Sequence, residues 1–291
     1  MQTELQFRTR AHYDEYPFIE GGPNRVRWWH DYLSDFLPDA DIRDKLVLDD
    51  GSSVGEISRG LIDRGARMAC LDISLQSLRR CRVNNHEADV LNGSALELPF
   101  PDASFDHAIS IGVLHHTPDC RRAFRELARV AAPGARIVVF LYNYWNIYNA
   151  LYHGFAPIRA IMPVARIPRA FLYLLQPFAR LHLGQKLSDK QLRNLLGDKL
   201  WTPQATFHSV SRVRKWGLED SLTLIATKKF FLAYANVFCF RKHGKPIAER
   251  RDLTLQCLSC GAAPMRKDPP RYKCGNCGRE YPLDEGIVRC L

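Results

Sequence analysis

The sequence predicts an α/β protein, a doubly wound and mostly parallel sheet with an antiparallel edge pair, followed by a small module held by four cysteines. Three observations predict it. From Lys45 to Tyr142 short apolar runs alternate with helical patterns, the rhythm of parallel βαβ units. Ser221–Thr227 and Ala233–Arg241 read as two strands joined by a short turn, an antiparallel edge for that sheet. Cys257, Cys260, Cys274 and Cys277 form two CxxC units with thirteen residues between them.

Arg25–Leu37 places Val26, Trp29, Tyr32, Leu33 and Phe36 at helical spacing within an N-terminal lead. Lys45–Asp49 reads as a strand and Glu56–Arg64 as a helix closed by Gly65. Met68–Asp72 is the next strand, and Leu75–Arg82 a helix capped by Ser74. His107–Ile111 is a strand, Arg121–Ala131 a helix stopped by Pro133-Gly134, and Arg136–Tyr142 a buried strand. Residues 143–205 break the rhythm with Pro-interrupted, aromatic and basic stretches, Ser209–Gly217 suits a helix, and 243–252 suits a linker.

The 291 residues are 46% apolar and 25% charged, a globular composition with no apolar run long enough to span a membrane. The opening residues carry no apolar leader, and five of the nine cysteines are scattered, so the chain is expected to be cytoplasmic. Charge is uneven: residues 1–150 hold 17 Lys and Arg against 21 Asp and Glu, whereas 151–250 hold 17 against 5. The net charge of +10 therefore comes almost entirely from one segment.

The string VLDDGSSVGEISRGL, Val47–Leu61, is a strand entering a glycine-containing turn and then a helix. Such a turn brings backbone N–H groups up to a ligand. A second strand ends at Asp72, twenty-one residues after Gly51, where a carboxylate can accept from both hydroxyls of a ribose.

With ALELPFPDASFDHAISIGVLHHTPD, Ala95–Asp119, and PGARIVVF, Pro133–Phe140, these strings resemble the class I S-adenosylmethionine (SAM) dependent methyltransferases, whose sheet is Rossmann-like. The resemblance covers roughly Lys45–Tyr142 and the late strand pair. It implies that SAM is bound by Asp49, Gly51, Ser53, Gly55, Asp72 and Ile73, with Ser94, Ala95 and Leu96 flanking the adenine and Ile111 on the floor. Two residues depart from the family pattern. Ser53 stands where the middle glycine of the loop is usual, and is strained if that position needs positive φ. Ser94 stands where an aspartate commonly receives the adenine amino group. NAD is disfavoured because the helix after the loop lacks the third glycine spacing.

Methyl transfer needs alignment and a site closed to water, and a base is optional. His115 and His116 follow the strand ending at Ile111 and are weak candidate bases, a plain pocket wall being the favoured reading of each. Tyr13 and Tyr16 could form a lid or pack on the 25–37 helix. Tyr142, Tyr144, Trp145 and His208 suit ordinary packing. Residues 143–205 correspond to the insertion that builds a substrate cap in the family, and Arg159, Arg166, Arg169 and Arg180 give it its basic character. Basic plus apolar suits RNA, an anionic or carrier-bound metabolite, a peripheral membrane contact, or a solvated surface.

The four cysteines match a zinc ribbon whose Zn²⁺ has no open position and is therefore structural. YPLDEGIVRCL, Tyr281–Leu291, resembles the tail of small zinc-ribbon activator proteins that pair with methyltransferases acting on tRNA, ribosomal RNA and release factors. The expected organisation is a methyltransferase domain over 1–243 with its cap at 143–205, and a zinc ribbon over 253–291. The expected function is methyl transfer to an O, N or C nucleophile. A small or carrier-linked metabolite leads as acceptor, with RNA or a translation protein, and a non-catalytic SAM- or RNA-binding scaffold, as the alternatives.

Overall fold

The computed structural model describes residues 4–16, 23–183, 186–246 and 251–291. The first half runs α1 (Glu4–Glu15), α2 (Pro23–Ser34), α3 (Asp39–Ile42), β1 (Leu46–Asp50), α4 (Glu56–Ile62), β2 (Arg67–Asp72), α5 (Leu75–Asn84), β3 (Asp89–Asn92), β4 (Phe105–Ile111), α6 (Cys120–Val130) and β5 (Ala131–Tyr142). The cap contributes α7 (Ile147–Gly154), α8 (Ala156–Ile161), α9 (Arg169–Tyr173), α10 (Gln176–Leu183) and α11 (Asp189–Leu200). Then follow α12 (Val210–Glu219), β6 (Leu222–Phe230) and β7 (Ala235–Lys242), and the short ribbon strands β8 (Arg266–Asp268), β9 (Arg271–Lys273), β10 (Glu280–Asp284) and β11 (Ile287–Arg289).

All strands belong to one sheet of order β6-β7-β5-β4-β1-β2-β3-β11-β10-β9-β8. β3, β2, β1, β4 and β5 are parallel, and β7 and β6 add the expected antiparallel edge. Every residue of β1 is buried, as a central strand covered on both faces requires. The strand order reverses beside β1, since β2 lies on one side and β4 on the other. Ligands of open α/β sheets bind at the carboxyl ends of strands at such a point.

Local chemistry starts the helices as read. Ser74, Asp119 and Ser209 accept from the backbone N–H of Ser77, Arg122 and Arg212, and Ser188 with Gln191 forms a full capping box on α11. Pro133-Gly134 does not separate α6 from β5 as expected. β5 begins already at Ala131, and its register with β4 jumps between Phe105 and His107, so the pair sits in an irregular stretch of strand. α1 and the four-residue β3 were not anticipated. Of the expected 243–252 linker, 247–250 lie outside the described residues, as does the side chain of Val26.

The ribbon joins the body of the molecule. β11 pairs parallel with β3, matching Ile287 to Val90 and Arg289 to Asn92, and Cys290 N–H donates to Asn92 C=O at 2.9 Å. Leu255, Met265, Tyr281 and Val288 extend the core formed by Leu91, Leu98 and Phe100. The cap has a core of its own, in which Val164, Ile167, Leu172 and Ala179 meet Leu192, Leu195 and Leu196 of α11. Among the described residues no helix is long and apolar enough to cross a membrane.

Candidate active site

A cleft of about 1390 Å³, its solvent-open mouth included, lies over the carboxyl ends of β1, β2 and β4. Its floor is the turn after β1. Gly51 has φ +83°, and a Cβ there would lie 2.0 Å from Val113 Cγ2, so no other residue fits without moving the loop. Ser53 has φ +51°, the left-handed conformation that its substitution for glycine puts under strain. Its N–H donates to Asp72 Oδ2 at 2.9 Å, and Ser74 N–H donates to Asp72 Oδ1 at 2.8 Å.

Asp49 and Asp50 are buried here and Asp72 is half-buried, and none of the three meets a basic side chain in an ion pair among the described residues. Burial raises Asp72 to about 6. Asp49, which accepts the Ser58 hydroxyl at 2.5 Å, is raised by burial to about 7. Asp50 accepts from Ser110 Oγ at 3.2 Å and is raised by burial to about 8. Asp50 Oδ1 and Ser52 Oγ are buried with no hydrogen-bond partner among the described residues. Uncompensated buried carboxylates beside orphaned polar atoms suit a ligand that brings positive charge and donors. SAM, with its ammonium and sulfonium, is such a ligand.

The Ser94 side of the cleft is braced by Asn92, whose Nδ2 donates to the carbonyls of Asp72 at 3.1 Å and Ile73 at 3.0 Å. Ser94 Oγ accepts from Gln6 Nε2 at 3.1 Å and from Leu96 N–H at 3.2 Å. α1 therefore supplies a polar partner to the serine that stands in place of the usual aspartate. Gln6, Thr9 and Tyr13 line the cleft at i, i+3 and i+7, a spacing legible in the sequence once α1 is suspected. Tyr16 faces elsewhere, against Gly197 of α11.

Asp49, Gly51, Ser53, Asp72, Ile73, Ser94, Ala95, Leu96 and Ile111 all line the cleft. Gly55 does not. It caps α4 with φ +81° and turns toward Asn85 and Cys81 of the α5 region, so it shapes the loop from behind.

The opposite end has aromatic walls: Tyr13, Trp29, Phe140, Tyr142, Phe230 and Tyr234. Sequence reasoning missed Trp29, Phe230 and Tyr234 as site residues, and also Asp198 and Lys199 of α11. Asp198 and Lys199 touch at 2.8 Å. Burial opposes both charges, yet their attraction, helped by His116, holds Asp198 below its usual range and Lys199 above its own.

The two histidines separate. His115 is fully buried behind the wall, its ring centroid 3.7 Å from that of Tyr142 and its ring beside the Phe140 backbone. Burial pushes it well below the usual histidine range, and it does not line the cleft, so it is not a base. His116 does line it. Its Nδ1 lies 2.8 Å from Gln204 C=O, and because a carbonyl only accepts, Nδ1 carries the proton and Nε2 keeps its lone pair. Burial lowers His116 to about 4, so it is neutral near pH 7. His208 packs against Trp216, as expected, whereas Tyr144 and Trp145 are exposed instead of packed.

At the ribbon the four cysteine Sγ atoms lie within 4.8 Å of one another. Cys257 to Cys277 is 3.5 Å and Cys260 to Cys274 is 3.6 Å. A tetrahedral site with Zn–S near 2.3 Å requires S···S of about 3.8 Å, so the four thiols fit Zn²⁺.

Residues 48–139 match the Methyltransferase domain family. The chain is 31% identical over 176 residues to the demethylmenaquinone methyltransferase of Paenarthrobacter aurescens, covering 57% of this chain and 68% of that protein. It is 35% identical over 112 residues to the chloroplastic tocopherol O-methyltransferase of Arabidopsis thaliana, where the match spans 35% of this chain and only 32% of that protein. Among solved structures, one neighbour is a chain from the complex between the Haloferax volcanii Trm112 methyltransferase activator and a methyltransferase, with TM-score 0.54 and 15% identity over 84% of this chain and 100% of that one. A second is the magnesium protoporphyrin IX methyltransferase of Synechocystis PCC 6803 with bound SAM, with TM-score 0.52 and 13% identity over 83% and 98%. At these identities the structures show a shared fold.

Proposed function

We propose that this chain, which belongs to the SAM-dependent methyltransferases, methylates an oxygen or carbon of a small, apolar, ring-bearing acceptor. The observation that carries this reading is the aromatic wall of Trp29, Tyr142, Phe230 and Tyr234 sharing one cleft with the carboxyl groups of Asp49, Asp50 and Asp72. Flat apolar walls bury a ring and exclude water, while the carboxylates suit a cationic donor. Relatives named for tocopherol and demethylmenaquinone, both ring compounds, support the same acceptor class. Membership of a family of named methyltransferases removes the need for the non-catalytic scaffold reading.

In this reading Asp72 accepts from the ribose hydroxyls, Asp49 and Asp50 face the methionine end, and Ser94, Ala95 and Leu96 flank the adenine. When bound, SAM supplies an electrophilic methyl group on a positively charged sulfur. His116 Nε2 takes the proton of the acceptor hydroxyl, and the Asp198 carboxylate favours the imidazolium so formed. Lys199 holds Asp198 ionised. Zn²⁺ on the four ribbon thiolates serves structure alone.

The test is transfer of a labelled methyl group from SAM to phenols and hydroquinones. His116→Asn should lower kcat by roughly 10²- to 10⁴-fold while SAM affinity stays unchanged. Label entering tRNA or a release factor, and none entering a ring compound, would replace this reading with a second one. That second reading is supported by the ribbon, which is similar to the activators of such enzymes.

A further inference from the structure

We propose that the outer face of the cap, with the turns beside the cleft mouth, docks on the surface of an anionic lipid bilayer. The inference rests on exposure and charge and does not depend on which acceptor is methylated. Trp145, Ile147, Ile161, Leu174 and Leu232 are each between 72% and 82% exposed. Scattered apolar residues on a surface are ordinary, but these lie on the elements that build and flank a single cap. Two of them are held outward by specific structure. Leu232 and Ala233 adopt φ +49° and +56°, a strained pair for residues other than glycine. Asn146 Nδ2 donates to Leu232 C=O and Asn143 Nδ2 to Ala233 C=O, both at 3.0 Å, which ties this turn to the turn bearing Trp145. Both turns leave strands whose ends, Tyr142 and Phe230, line the cleft.

Charge identifies the occupant. From residue 127 to residue 188 the sequence contains no aspartate or glutamate, while Arg159, Arg166, Arg169, Arg180 and Lys186 all lie within the cap. Arg169 pairs with Asp189, and Arg159 turns inward to the carbonyls of Tyr152 and Leu200 with its guanidinium 4.0 Å from the Tyr152 ring centre, but Arg166 meets no carboxylate among the described residues. A second copy of the chain would bring cations against cations across an isologous interface. Single-stranded RNA would match the arginines and the aromatic rings, but its contacts are stacking and phosphate pairing, which leave exposed Ile and Leu in water. Anionic phospholipid satisfies all three features: acyl boundary for Ile161 and Leu174, headgroup level for Trp145 and the exposed Tyr144 and Tyr173, and phosphate for the arginines.

The test is flotation of the whole protein with phosphatidylcholine vesicles, with and without phosphatidylglycerol, at low and high salt. Binding should require phosphatidylglycerol and weaken with salt. Arg166→Ala should reduce it about fivefold and Ile161→Ser about tenfold. SAM affinity, unchanged in both variants, checks that they fold. Brominated lipid should quench the fluorescence of the unaltered protein, and Trp145→Phe should remove that quenching. Equal binding to neutral and anionic vesicles, no binding to either, tighter binding to single-stranded RNA, or concentration-dependent dimers that ignore vesicles would each overturn the proposal.

Discussion

Asp49, Asp50 and Asp72 stand at the ends of two adjacent strands, all between residues 49 and 72, and the backbone turn they flank is a contiguous stretch of sequence. At the other end of the same cleft, Trp29 comes from α2, Tyr142 from β5, Lys199 from the cap and Tyr234 from the turn before β7. The polar end, where the cofactor is proposed to bind, is locally encoded. The aromatic end, proposed for the acceptor, is assembled from segments far apart in the chain. A family can therefore keep the first while exchanging the second, which is how one fold serves many acceptors.

The largest expected effect tests whether the ribbon supports only the cofactor end. Cys274→Ser, or removal of zinc by a chelator, should unfold residues 253–291, since a segment this short depends on metal ligation. β3 then loses β11, and Asn92, which fastens the Asp72–Ile73 turn, loses its brace. Hydrogen exchange should quicken at Val90–Asn92 and SAM affinity should fall, while α11 keeps its protection. Equal loosening of α11 would mean that the two ends do not behave separately.

Asp72→Ala comes next, with SAM binding weakened by about 1.5–3 kcal/mol for a lost charged acceptor, measured by calorimetry. The acceptor KM at saturating SAM should stay put. Unchanged SAM affinity would remove Asp72 from the cofactor site.

A third expectation follows from the raised carboxyls at about 6, 7 and 8. The folded, ligand-free protein holds protons there that the unfolded chain releases nearer pH 4, so the stability these groups keep at low pH is lost as pH rises from about 4 through 6 to 8. A cationic ligand favours the ionised forms. SAM should thus bind roughly tenfold more tightly at pH 8 than at pH 6, with proton release, and the uncharged-sulfur product should show a shallower slope. The pH dependence would be read by titration in two buffers of different ionisation enthalpy, and a flat profile would contradict it.

Ser53→Gly should have the smallest effect. Relief of a left-handed serine, offset by the added freedom of the unfolded chain, leaves a gain of a few tenths to about 1 kcal/mol in thermal stability. A loss would show that the serine hydroxyl makes a contact of its own.

Legibility in the sequence followed the same division. The strand-turn-helix at 46–62 and the acid at Asp72 are local patterns, so nearly all the expected residues line one cleft; the exception is Gly55, behind the loop, because spacing cannot tell which side of a turn faces the cavity. The cysteines were legible because ligand spacing is fixed by the metal geometry. Trp29 and Tyr234 carried no signal, because helical or strand periodicity says that a side chain is inward without saying which cavity lies there. His115 and His116 are neighbours in sequence with opposite surroundings, and only the carbonyl of Gln204, 88 residues further on, distinguishes them.

The pairing of β11 with β3 also bears on how the molecule is made. β3 leaves the ribosome early with one side bare, and its partner follows roughly two hundred residues later. During that interval Asp89–Asn92 is an open strand edge, the kind of surface that recruits stray strands. With zinc on the four thiols, as proposed, its closure would wait on the synthesis of the cysteines and on the metal. Zinc supply would then set the yield of properly closed enzyme at the moment of synthesis, before any substrate is met.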